Sequence, residues 1–276
     1  MKNVYAMDTF FYNSLGNYPF AVRCEMLSEL GYDAAYLTLW DEQAWKDLAL
    51  IPGVKDTYGL EVAAVYAVLD VTLPKEHPDA VRIVAMLEQL EGCSRVELAL
   101  TMGDNLYAPS DPAGDALALE WLSYLLPIAE QRNIKISLYH HVFFWLERWE
   151  DAHRLINQLR HPLLGITFSS FHWYGIDGTR LNEALSACVP YLHAVNVCGS
   201  RKLPPGGLPA SIESIDQGEL DVFSFIAALK KHGYIGSIGF QGYGMGGDPF
   251  HHLEKNIQVL SKIEKRLLKH PSWSLL

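Results

Sequence analysis

Four cysteines, Cys24, Cys93, Cys188 and Cys198, are all that the 276 residues contain, and no two of them form a CxxC pair. That leaves no redox or metal motif built on paired thiols, and it fits reduced cysteines in a cytoplasm. Positive charge is short as well: 22 Lys and Arg against 32 Asp and Glu give a formal net charge of −10. Such a balance opposes binding to a polyanion, and the basic pair Arg201-Lys202 is too small to make a nucleic-acid patch. No window approaches the ~20 consecutive apolar residues of a membrane span. The first eight residues, Met1 to Asp8, lack the apolar run of a signal peptide. The expectation is therefore a cytoplasmic protein with no nucleic-acid and no membrane partner. A Pro-, Gly- or Ser-rich linker is missing too, so residues 1–276 are expected to form one domain.

What is present is a core-building sequence, 49% hydrophobic and 20% charged. Short alternating stretches read as strands at Val4–Met7, Ala34–Leu39, Glu61–Val68, Arg95–Leu100, Ile134–Tyr139, Gly165–Ser170, Leu192–Cys198 and Ser237–Gln241. Between them, helical stretches are read near Pro19–Leu30, Asp41–Leu50, His77–Leu90, Ala113–Arg132, Glu147–Arg160, Arg180–Ala187, Asp221–His232 and Phe250–Leu268. Eight strands alternating with eight helices predict an α/β protein, a single (β/α)8 TIM barrel. The alternative is an open doubly wound sheet, weakened by the lack of a GxGxxG after the first strand.

The stretch from Ile134 to Asp177 organises the chain. Ile134, Ile136 and Leu138 share one strand face, with Lys135, Ser137 and Tyr139 opposite. Ile166 and Phe168 likewise oppose Thr167 and Ser169. Both strands run into polar-aromatic clusters, Tyr139-His140-His141 and Ser169-Ser170-Phe171-His172, which parallel strands bring to the same end of a barrel. With aliphatic faces against the helices, the interior of strands four to eight holds Glu97, Ala99, Lys135, Ser137, Tyr139, Thr167, Ser169, Ala194, Asn196, Ser237, Gly239 and Gln241. A buried Glu97 needs a partner, and Lys135 on the neighbouring strand is the candidate.

The whole chain resembles the xylose-isomerase-like TIM-barrel superfamily of sugar and sugar-phosphate isomerases and epimerases, to which the endonuclease IV group also belongs. The resemblance rests on the strand ends and on Leu27-Ser28-Glu29-Leu30-Gly31-Tyr32-Asp33. It rests also on Ala129 to Ile136, on Gly218-Glu219-Leu220-Asp221, and on Leu229 to Gly236. It implies the barrel fold and, at its carboxyl end, sugar chemistry. Members typically hold a divalent ion with Glu, Asp, His and Glu at the ends of strands five to eight, with a further His three positions after the Asp. Here those positions read Tyr139, Ser169, Asn196 and Gln241, with His172 kept. Neutral groups cannot replace the charge that a carboxylate-held cation needs, so no cofactor and no ordinary metal site are expected.

Two histidines then become the candidate catalytic groups. A neutral imidazole is a natural base for a proton next to a carbonyl, which gives His141 and His172 the acid/base role; the plainer reading hydrogen-bonds both to loop backbone. Tyr139, His140, Ser169, Asn196 and Gln241 are the donors and acceptors that would read sugar hydroxyls, Glu97 lies below them, and Trp173 and Tyr243 are the aromatics chosen to stack on a sugar ring. The same polar groups could instead plug the barrel with water. Gly242 to Asp248 could cradle a phosphate, but its glycines are better explained by a tight turn, so an unphosphorylated sugar or polyol is the expected ligand. The loop Arg201–Pro209 reads as a lid. The function expected is a sugar isomerase or epimerase working through an enediol without the usual metal. The alternative is a non-catalytic carbohydrate-binding or sensing protein; a DNA-repair phosphodiesterase, permitted by the superfamily, conflicts with the charge. Homo-oligomerisation is left open.

Overall fold

A computed structural model describes residues 3–103 and 106–273; Met1 and Lys2 of the N-terminal stretch lie outside the described residues. The strands are β1 (Val4–Ala6), β2 (Ala34–Thr38), β3 (Glu61–Asp70), β4 (Arg95–Thr101), β5 (Lys135–Tyr139), β6 (Leu164–Ser169), β7 (Leu192–Val197) and β8 (Ser237–Phe240). They pair in parallel and in chain order, and β8 returns to β1 to close a single (β/α)8 barrel. The connecting α-helices among the described residues are α1 (Phe20–Glu29), α2 (Glu42–Asp47), α3 (Val54–Tyr58), α4 (Pro78–Gln89), α5 (Asp115–Arg132), α6 (Trp149–Leu159), α7 (Ser170–Ile176), α8 (Leu181–Cys188), α9 (Val222–Lys231) and α10 (Pro249–Lys269). None is long and apolar enough to cross a membrane.

The strand faces divide as the alternation predicts. Val96, Leu98, Ile136, Leu138, Ile166 and Phe168 belong to the large core between strands and helices. The barrel interior is a second cluster in which tyrosine and alanine share the space: Tyr5, Tyr36, Tyr66 and Tyr139 with Ala34, Ala64, Ala99 and Ala194. Large rings filling gaps left by small residues is how a narrow barrel reaches close packing. Tyr5 and Tyr36 stack at 5.6 Å between ring centroids.

The interior charge pairs differently from the sequence expectation. Glu97 accepts from Tyr36 Oη at 2.6 Å and from Thr167 Oγ1 at 3.0 Å, and Arg95 Nη2 stands 3.5 Å from it. Burial pushes the Glu97 carboxyl up, and Arg95 opposes that push most strongly. Lys135 is instead exposed at the other mouth of the barrel. Arg95 wins because it lies two residues before Glu97 on one strand, hence on the same face, while water solvates Lys135 at no cost.

Glycine is required on β8. A Cβ on Gly239 would lie 2.3 Å from both Asn196 Oδ1 and Tyr5 Cε2, across the hydrogen bond that Tyr5 donates to Asn196 at 2.6 Å. Gly239→Ala is expected to cost about 1–3 kcal/mol by overpacking the interior, read as a lowered urea midpoint; an unchanged midpoint would show that the tyrosine layer yields freely.

Candidate functional site

Each strand of the β5–β6 pair delivers a histidine-bearing segment to the carboxyl end of the barrel. After Tyr139 the chain turns at once, and His141 N–H closes the turn on Leu146 carbonyl at 2.9 Å. After β6 it enters α7 directly: Ser169 Oγ caps the helix by accepting the His172 N–H at 3.5 Å. The sequence reading carried the strand to Ser170 and missed α7. The helix aims His172 into the barrel mouth and Trp173 away from it.

The mouth holds a cavity of about 280 Å³. Its floor and walls include Tyr66, Tyr139, His141, Phe144, His172, Gln241 and Tyr243, and Met7, Thr9, Thr38 and Trp40 bring in β1 and β2. The site therefore spans more than the ends of strands four to eight. Leu208 and Ile212 close one side. They come from the loop after β7, which folds back on itself through bridges between Lys202 and Ala210 and between Gly199 and Glu213. Lys202 Nζ ties that loop to α7 by donating to the carbonyls of Tyr174 and Gly175.

Of the residues expected at the site, Tyr139, His141, His172, Gln241 and Tyr243 line this cavity. Ser169 and Asn196 lie beneath it, fully buried. Ser169 Oγ donates to Gln241 Oε1 at 3.3 Å, so it positions the amide of a lining residue. His140 is also buried, and its Nε2 accepts the Ser169 N–H at 3.0 Å. Trp173 packs on Phe168 and Phe225 behind the barrel wall, its indole N–H on Thr179 carbonyl. Glu97 is enclosed by Tyr36, Thr167 and Arg95 deeper in the interior. Trp173 and Glu97 thus lie outside the cavity lining, the first turned away by α7, the second spent on the Arg95 charge. Tyr66 from β3 and Trp40, just after β2, also line the cavity.

The imidazoles of His141 and His172 stand with centroids 4.1 Å apart, and Phe144 stacks on His141 at 4.1 Å. One residue sets both tautomers. His141 Nδ1 meets the Val142 carbonyl at 2.7 Å, so it must carry the proton, leaving a lone pair on Nε2. His172 Nδ1 accepts the Val142 N–H at 3.2 Å, so its proton sits on Nε2. Burial pushes His141 down to about 4 and His172 well below the usual range, where His141 and His140 add to the effect. Burial also takes His140 down to about 3, against a pull from the Glu147 carbonyl. All three are neutral at pH 7.

The sequence profile of the xylose isomerase-like TIM barrel family matches residues 24–263, and the chain belongs to that family. No curated protein matches the chain. Among solved structures, a 3-keto-D-glucoside 4-epimerase from E. coli is similar at 15% identity and a TM-score of 0.72, covering 95% of this chain and 100% of that one. A D-allulose 3-epimerase from Methylomonas sp. in complex with D-allulose is 18% identical, TM-score 0.67, covering 94% and 96%. The IOLI protein with a binding zinc atom is 16% identical, TM-score 0.76, covering 96% and 98%. At these identities the likeness is one of fold.

The metal that such a likeness raises does not fit the residues present. Among the described residues no three His, Cys, Asp or Glu side chains converge as a ligand set. At the ends of β5 to β8 the donors are a phenol, a hydroxyl, two amides and two imidazoles, with no carboxylate among them to offset a divalent charge.

Proposed function

We propose that the protein is a sugar isomerase or epimerase-type enzyme that moves a proton through an enediol without the usual divalent ion. The observation that carries this reading is the pair of neutral imidazoles held in opposite tautomers at the cavity. His141 Nε2 offers a lone pair; it takes a proton from the carbon next to the substrate carbonyl. The C–H electron pair becomes the C=C bond, and the carbonyl π pair moves to oxygen. His172, in the same lining, carries its proton on Nε2 as a hydrogen-bond donor and keeps it, because a neutral imidazole is a very weak acid. The proton on His141 then passes to the neighbouring carbon, while the adjacent hydroxyl gives its proton to the enediolate oxygen and the electron pair left behind forms the new carbonyl. His141 is the one neutral base among the described lining residues, and no Asp or Glu accompanies it. A single base returns the proton to the face it left, which favours aldose–ketose isomerisation over inversion at one carbon.

The ligand that suits the cavity is unphosphorylated. No Lys or Arg is among the described lining residues. At the glycine-rich turn, Gly244, Gly246 and Gly247 all have positive φ, the backbone reason for glycine there. Asp248 already occupies the N-terminus of α10, accepting from Phe250 and His251 N–H, where a phosphate would otherwise bind.

The test is a panel of neutral aldoses and ketoses in D2O with the untagged, EDTA-treated protein, its Mn, Zn and Mg content measured before and after soaking. The expected result is deuterium incorporation next to the carbonyl of at least one sugar at far below one metal per chain. Sugar binding without exchange would favour the non-catalytic binding alternative. Exchange that appears only with one metal per chain would overturn the metal-free mechanism.

A further inference from the structure

Three residues of the cavity wall carry buried hydrogen-bond donors that find no partner within hydrogen-bond distance. Tyr66 Oη, Tyr139 Oη and His172 Nε2 all lack a partner among the described residues, and the three residues are 2%, 1% and 1% exposed. They are contiguous: Tyr66 and Tyr139 meet edge to face at 5.3 Å, and Tyr139 and His172 at 5.4 Å. Elsewhere in the interior the tyrosine hydroxyls are spent, Tyr5 on Asn196 and Tyr36 on Glu97. A phenylalanine would fill either ring site at the mouth without burying an unsatisfied hydroxyl. Burial and the Glu97 charge push the Tyr139 phenol upward, and burial does the same to Tyr66, so both stay protonated and can only donate to an anion.

We infer that Tyr66, Tyr139 and His172 form an oxyanion hole that receives the enediolate oxygen, performing with neutral dipoles what a divalent ion does elsewhere. The assignment adds Tyr66, from β3, to the reacting centre. It rests on the proposed proton transfer for its purpose and not for its test. When His141 takes the carbon-bound proton, the site holds an imidazolium and an enediolate, neutral overall. Donors fixed in a dry cavity stabilise the new charge on oxygen without having to reorient. They offer a phosphate dianion no cation, so the ligand class is a neutral carbonyl compound that becomes anionic at one oxygen during reaction.

The probe is 4-nitrophenol, whose ionised form is coloured. It is titrated with pH in the presence of saturating, EDTA-treated protein, with nitrobenzene as the uncharged control ligand. An oxyanion hole binds the phenolate better than the phenol, so the bound probe is expected to ionise at least one pH unit lower than in water, a tenfold preference. Tyr66→Phe and Tyr139→Phe should each lose most of that preference while binding nitrobenzene within about twofold of the parent, the sign that the cavity itself is intact. A bound probe that ionises at higher pH than in water, a probe that does not bind, or a preference untouched by both substitutions would each overturn the inference. Phenolate preference with no sugar turning over would leave the oxyanion hole standing and remove the proposed isomerisation. Turnover without phenolate preference would do the reverse.

Discussion

Replacing His141 by Gln is expected to slow proton exchange on the best sugar substrate by about 10²–10⁴-fold, the usual worth of a positioned general base. Sugar affinity should change by less than about threefold, because Gln keeps a donor and an acceptor at nearly the same reach. The pH profile separates this role from a structural one. Catalysis needs the unprotonated ring, and burial holds His141 down to about 4. The parent exchange rate should therefore stay level from pH 8 to about 5.5, with no acid limb near the ~6.5 of an ordinary histidine. Neutral His172 donates in the same range, so it adds no limb of its own. An acid limb near 6.5, or a His141→Gln protein that exchanges at the parent rate, would take the base role away from His141.

Neither the lone pair nor its direction could be read from the sequence. Both tautomers are set by the backbone of Val142, whose N–H and carbonyl each engage a different ring; a residue name carries no such information. The barrel, by contrast, was legible, because every strand except β3 shows its two faces as alternation or stops within a few residues at a turn signal. β3 is ten residues long and largely buried, Glu-Val-Ala-Ala-Val-Tyr-Ala-Val-Leu-Asp, so its apolar run hides which face holds Tyr66. That is why the sequence did not place Tyr66 on the inward face, although an alanine two residues before a tyrosine recurs at Tyr36 and Tyr66. The Arg95–Glu97 pair was within reach: residues two apart on a strand share a face, and that spacing outranks a charge on the neighbouring strand. Trp173 was misplaced for a different reason. Reading Ser170 as strand put the following residues in a loop, whereas a helix capped by Ser169 sends His172 and Trp173 in opposite directions.

The three histidines at the barrel mouth, together with His193, make the fold sensitive to acid. His140, His141, His172 and His193 are all held below the usual histidine range, chiefly by burial, with His140 and His193 at about 3 and His141 at about 4. Each is neutral in the folded chain and charged in the unfolded chain between about pH 4 and the ~6.5 of a free histidine. In that window the unfolded state binds more protons, so stability rises with pH and is lost as pH falls. The full contribution of each is about 1.4 kcal/mol per pH unit once the unfolded imidazole is charged. Two carboxyls act in the opposite sense: burial raises Asp8, against Arg23 and Thr38, and raises Glu97, against Arg95. Both carboxyls offset part of the histidine uptake on unfolding. Stability should then fall between pH 6 and pH 5, by up to about 1.4 kcal/mol for each imidazole that charges only on unfolding, set against the 5–15 kcal/mol that holds an ordinary domain together. Urea unfolding at pH 7, 6 and 5 measures this directly, as a midpoint that moves down steeply on the last step. His193 lies outside the cavity lining and bonds Ser137 at 2.7 Å. Replacing it by Gln removes one titrating site, so the slope should drop by about one proton while the cavity stays intact. A midpoint that holds level or rises from pH 6 to pH 5 would mean that these imidazoles are charged in the folded protein, and with that the neutral pair at the barrel mouth would be lost.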